Sequence, residues 1–239
     1  MTSSKPLEQL INKCDPGWPR VAEWLRDAGA RAEVLSADRP RSESVLVALQ
    51  VTTRSPLGAI ALETAGIIFD HGWVRLLGGG GPAIEGDLAR WNGLGTTTLR
   101  PPFSGALIVG YDVLGGFFAI NGGAFGDCTG NVFYFAPDSL QWEDMQRGYG
   151  DFVQFLCTGD LANFYANYRW ESWQSEVSSI AFDKVLHILP PLWTKEGKDL
   201  ERQSRRAIPA IEALALQLDV AQEIRNLPEG APINLSMKK

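Results

Sequence analysis

The middle third of this chain is a succession of short β-branched and aromatic runs with glycines at the joints, and no other feature restricts the fold as much. Between Gly58 and Leu77 the runs Ala59–Thr64, Gly66–Gly72 and Trp73–Leu77 read as three short strands joined by tight turns. Further strands are expected at Ala106–Tyr111, Gly116–Asn121 and Asn131–Ala136, separated by the turns Asn121-Gly122-Gly123 and Thr129-Gly130-Asn131. Turns this short bring the chain back beside itself, which makes the sheet mainly antiparallel.

Helical spacing flanks the strands. Pro19 fits a first helical position, and Val21, Trp24, Leu25 and Ala28 follow at helical steps until Gly29. A second helix is expected over Arg41–Gln50, where Val45, Leu46 and Leu49 form a stripe. After Pro137 the helical period returns, through Phe152, Phe155 and Leu156, then Leu161, Phe164, Tyr165 and Tyr168, then Trp173 and Val177, and a last helix is expected over Pro209–Leu218. Helices, then strands, then helices again is the order of an α+β fold, with a mainly antiparallel central sheet covered by N-terminal and C-terminal helices. With neither repeat nor linker to divide it, the chain is expected to form a single domain over residues 1–239.

Composition removes several classes of function. Hydrophobic residues are 45% and charged residues 21%, the balance of a folded globular protein. The most apolar stretches, Ala59–Phe69 and Leu107–Ile120, fall well short of the ~20 residues a spanning helix needs, so no membrane span is expected. Met1–Leu10 has no apolar run and no small-residue cleavage site, and a cytoplasmic location is expected. Cys14, Cys128 and Cys157 are widely spaced, as reduced thiols are. A formal charge of −6 opposes nucleic acid and suits a basic protein partner.

The usual chemical signatures fail one by one. Gly78-Gly79-Gly80-Gly81-Pro82-Ala83 follows a strand, but Pro82 constrains it and no acid stands about twenty residues on to hold a ribose. It reads as a plain flexible connection. Gly197-Lys198 is followed by Asp199 rather than Ser or Thr, so no phosphate loop exists. His71 and His187 lie apart with no ligand-spaced partners, which leaves no metal site, and no glycine-x-serine-x-glycine elbow occurs. Asp70-His71-Gly72 reads as a turn between strands, and Cys128 as an inert thiol. No catalytic residue and no cofactor is assigned.

Two constellations remain. From Asp112 to Asp151 there are six acids against one base, Arg147, with Tyr134, Trp142 and Tyr149 among them. Aromatics anchor and charges steer, so Asp112, Asp127, Trp142, Glu143 and Asp144 are the candidate surface for a basic protein partner. The run Gln50–Pro56 gathers hydroxyls around Arg54, which either caps a helix and pairs with a buried carboxylate or binds an anion. In the second case Arg54, His71 and a carboxylate such as Asp112 form a ligand-binding pocket, in an enzyme or a small-molecule receptor. A third option, an assembly subunit, needs a large exposed apolar patch. Lys195, Lys198, Arg202 and Arg205 recur at helical steps among acids, the pattern of a salt-bridged solvent face.

Several runs carry a family resemblance: Gln50–Pro56, Asp70–Trp73, Gly115–Gly123, Gly130–Asp138 and Leu192–Asp199. On these the chain resembles the bacterial domain-of-unknown-function family numbered 2625 over nearly its whole length. Phe117–Gly123 followed by Asn131–Asp138, and then a helix near Asp151, is also similar at greater distance to the SUKH superfamily of Smi/Knr-like proteins. That second resemblance implies a non-enzymatic protein-binding module, and in particular an immunity-like inhibitor of a toxin.

Overall fold

Seven strands form one sheet whose spatial order is the sequence order, each antiparallel to the next. They are β1 (Ala32–Ser36), β2 (Thr64–Phe69), β3 (Val74–Leu77), β4 (Ala106–Asp112), β5 (Phe117–Asn121), β6 (Asn131–Ala136) and β7 (Gln141–Gly148). The computed structural model describes residues 4–95 and 103–228. The helices are α1 (Leu7–Leu10), α2 (Trp18–Ala28), α3 (Arg39–Leu49), α4 (Pro56–Glu63), α5 (Leu88–Trp91), α6 (Tyr149–Thr158), α7 (Leu161–Phe164), α8 (Trp173–Ser178) and α9 (Ala210–Arg225). A separate hairpin of β8 (Lys184–Leu189) and β9 (Ser204–Pro209) completes the chain, which is α+β as its pattern implied. None of the described helices is long and apolar enough to cross a membrane.

Tight turns join β2 to β3, β4 to β5 and β6 to β7. Between β2 and β3, Asp70 and His71 both adopt left-handed backbone (φ 51° and 57°), Gly72 follows at 91°, and Trp73 N–H donates to the Asp70 carbonyl at 3.0 Å. Two successive left-handed residues match the strand twist of a hairpin, so the turn expected at Asp70-His71-Gly72 is present. Register then assigns faces: Arg75, Tyr111, Phe117, Phe135 and Trp142 stand opposite one another on one face. Phe118 and Tyr134 pair on the other, against which α6 packs with Phe152 4.8 Å from Phe118. One cluster of buried apolar side chains runs from Leu10 to Ala221.

Five expectations need correction. The run Ala59–Thr64 is not a strand, since all but its last residue lie in α4. Ser55 caps that helix by accepting from Gly58 N–H at 3.1 Å, and Pro56 supplies the preset first-turn φ. β1 and β7 are edge strands that the β-branched signal did not mark; β7 carries Glu143, Asp144 and Arg147, as edges exposed to other chains often do. The charged run Lys195–Arg205 is no helix but two 3-10 turns leading into β9. The last helix reaches Arg225 and packs on the β8–β9 hairpin, while α4, α5 and α6 pack on the main sheet. Finally, Gly78–Gly81 is buried rather than a loose connection: Gly79 and Gly80 N–H donate to the carbonyls of Thr64 and Ala65 at 2.8 and 3.1 Å.

Candidate functional site

β8 is a β-branched and leucine run, Val185-Leu186-His187-Ile188-Leu189, stopped by Pro190-Pro191, which cannot donate to a ladder. It pairs with β9 on one side only. In an antiparallel pair alternate residues direct both backbone groups to the same neighbour. Ala210 N–H donates to the Asp183 carbonyl at 2.9 Å, whereas Leu186 N–H turns away from β9 to the Val113 carbonyl at 2.6 Å. Asp183, Val185, His187 and Leu189 therefore face the partner strand, and Leu186 and Ile188 face the opposite edge. Among the described residues the Ile188 N–H, the Ile188 carbonyl and the Leu186 carbonyl have no hydrogen-bond partner on that edge.

Helix α9 lies across this hairpin and closes a cleft of about 900 Å³. Its walls are mostly apolar: Leu114 from the β4–β5 turn, Leu186 and Ile188 from β8, Leu192 and Trp193 from the segment after Pro191, and Leu216 and Val220 from α9. Its polar groups are few, namely His187, Thr194, Glu196, Ser204 and Gln217. Burial lowers the His187 pKa from its ordinary value, which favours a neutral imidazole able to donate at one nitrogen and accept at the other. Thr194 is committed to structure, its Oγ1 donating to the Pro191 carbonyl at 2.7 Å and accepting from Gly197 N–H at 3.0 Å. Gly115 suits this turn because its φ of 80° is left-handed backbone that a side chain would strain, and the Gln217 amide packs against it. A smaller cavity of about 140 Å³ lies on the flank of α9 that carries Ile211, bounded by Trp91, Tyr111 and Asp183.

Neither constellation expected from the sequence lines this cleft. Asp112, expected on a partner-facing loop or in a ligand pocket, is fully buried. Its Oδ1 accepts from Leu114 and Gly116 N–H, both at 2.9 Å, and its Oδ2 from the Tyr134 and Tyr165 hydroxyls at 2.7 and 3.2 Å. Burial raises its pKa against the pull of those four hydrogen bonds. Trp142 is half-buried, stacked on Phe125 with centroids 4.2 Å apart and edge-on to Phe103. Asp127 and Glu143 are exposed, and the Glu143 carboxylate accepts from the Ser139 hydroxyl at 3.2 Å. Gln146 N–H at 2.7 Å and the Asn131 amide hold the Asp144 carboxyl below its usual range. Asp144 in turn pushes up the neighbouring Cys128 thiol, with a smaller contribution from Asp127.

Arg54, His71 and Asp112 are held by different elements and share no hydrogen-bond partner. The Arg54 guanidinium pairs with Asp15 at 3.0 Å, and both side chains are about 70% exposed, so the carboxylate is not the buried one expected. Around it Gln50, left-handed at φ 55°, ends α3, and Ser55 starts α4, which is the capping alternative for this run. His71 sits edge-on to Trp173, 5.9 Å between centroids. Sequence reasoning missed the cleft because its walls come from residues 114, 137, 186–196, 204 and 213–220. The one local cue was the apolar run ending in Pro190-Pro191.

The relatives of this chain carry no assigned chemistry. Residues 7–213 match the family described as "Protein of unknown function DUF2625". The chain is 37% identical over 220 residues to the "Putative uncharacterized protein YbfG" of Escherichia coli (strain K12), covering 91% of this chain and 98% of that protein. It is 32% identical over 189 residues to an "Uncharacterized protein" of Haemophilus influenzae, covering 78% of this chain and 82% of that one. No solved structure matches. A match over most of the chain together with such relatives settles the family: the chain belongs to the DUF2625 family of proteins of unknown function.

Proposed function

We propose that this chain is a binding protein whose ligand enters the cleft between β8 and α9. The observation that carries the reading is a concave site of about 900 Å³ whose walls are mainly apolar, led by leucine and proline, with a handful of polar groups. Ligand sites commonly have that size and make-up. N-phenyl-1-naphthylamine, a neutral apolar dye that brightens when desolvated, is expected to bind at one site. Leu216 is 45% exposed, so Leu216→Asp puts a charge in the cleft wall at little cost to folding. It is expected to weaken the dye at least tenfold with the thermal midpoint unchanged; equal affinity for both proteins would refute the site.

A second reading is the immunity-like inhibitor that the SUKH resemblance implies, acting on a basic partner protein. It is supported by the meeting of Asp127 and Asp144 beside Cys128, with Glu143 exposed on the same strand as Asp144. Such a surface binds through charge, and its complex weakens as salt rises, whereas apolar binding in the cleft does not.

A further inference from the structure

We propose that the natural occupant of the cleft is an extended peptide segment of another protein, added as a strand to the edge of β8 that no described strand pairs. This rests on the cleft being the ligand site and names the class of ligand. Leu186 and Ile188 are 6% and 4% exposed, yet the Ile188 N–H and the carbonyls of both residues meet no partner among the described residues. Buried backbone groups are almost always paired, and an unpaired one costs a large part of a hydrogen bond. A purely apolar small molecule fills the cleft and leaves all three groups unpaired. A peptide strand pairs them, because its own amides repeat at the same ~6.8 Å two-residue spacing.

Both ends of the edge are defined. Leu186 N–H is already taken by Val113, and Pro190 has no N–H, so the open stretch spans Leu186 to Leu189 and fits about four or five peptide residues. Alternate side chains of an added strand point the same way, and the walls they meet, Leu114, Leu192, Trp193, Leu216 and Val220, are apolar. The segment recognised therefore has apolar residues at every second position and no proline where Ile188 pairs.

The probe is a library of acetylated and amidated pentapeptides with Val, Ile or Leu at the first, third and fifth positions and Thr between them. Added to the full-length protein, the best binders are expected to displace N-phenyl-1-naphthylamine and to slow hydrogen exchange of the Ile188 amide at least tenfold. The same peptide N-methylated at its central amide keeps its side chains but loses a donor, and is expected to bind at least tenfold more weakly. Displacement of the dye with unchanged Ile188 exchange, or equal binding of the N-methylated peptide, would overturn the strand pairing while leaving the cleft as ligand site. Failure of every library member to displace the dye would also overturn it, as would an Ile188 amide already protected in the free protein. Absence of dye binding in the first place would instead remove the cleft reading.

Discussion

Asp112→Ala is expected to cost about 4 kcal/mol of stability, read as a lowered urea midpoint with an unchanged slope. The substitution strands two buried backbone N–H groups and two buried tyrosine hydroxyls at once. It also unties the β4–β5 turn from the helical layer, since Tyr165 follows α7 while Tyr134 lies in β6. Asp112→Asn keeps the carbonyl that accepts from Leu114 and Gly116 and lets the tyrosine hydroxyls reorient about the amide, so it is expected to cost only about 1–2 kcal/mol.

The pair also has a pH signature. Burial raises the native carboxyl above its unfolded value of ~3.9, so between the two values the native chain holds a proton that the unfolded chain has lost. Stability supplied through this group therefore rises as pH falls through the raised native pKa and levels off below ~3.9. Asp112→Asn, with nothing to titrate there, is expected to lose that rise relative to the parent chain. A pH profile parallel to the parent's would show that Asp112 titrates normally.

The second large effect is expected at Gly78→Ala, about 3 kcal/mol. A Cβ there would lie 2.5 Å from the Thr64 carbonyl oxygen and 2.6 Å from its hydroxyl, and β2 cannot retreat because it is buried along its whole length. Crowding of this kind costs ~1–3 kcal/mol and more where backbone is the obstacle. Gly148→Ala is the control: nothing lies within 4 Å of its Cβ position, its φ is −69°, and the expected cost is under about 1 kcal/mol. Similar thermal midpoints for the two variants would contradict a packed Gly78–Gly81 connection.

The strands β2 to β6 were legible because β-branched and aromatic runs there are bounded by glycines that turn the chain, as Asp70-His71-Gly72 does. α4 was not, because Leu57 to Leu62 are all buried and a helix without a polar face shows no period. Only Ser55-Pro56 marked its start. Asp112 was misplaced for a related reason: an acid beside glycines in a turn resembles a solvated loop, and nothing local reveals the two tyrosines, 22 and 53 residues away, that close over it. The acidic and aromatic character of the Asp127–Asp144 region was visible, but not that Trp142 would turn inward on Phe125. The cleft is assembled by tertiary packing from five separate places in the chain, and a site of that kind has no spacing to read.

Amide shift mapping of the full-length chain titrated with N-phenyl-1-naphthylamine tests the cleft most directly. The largest changes are expected at Leu186–Trp193 and along Ala213–Val220. Changes centred instead on Asp127–Asp144, or on Arg54 and His71, would contradict the cleft as the ligand site.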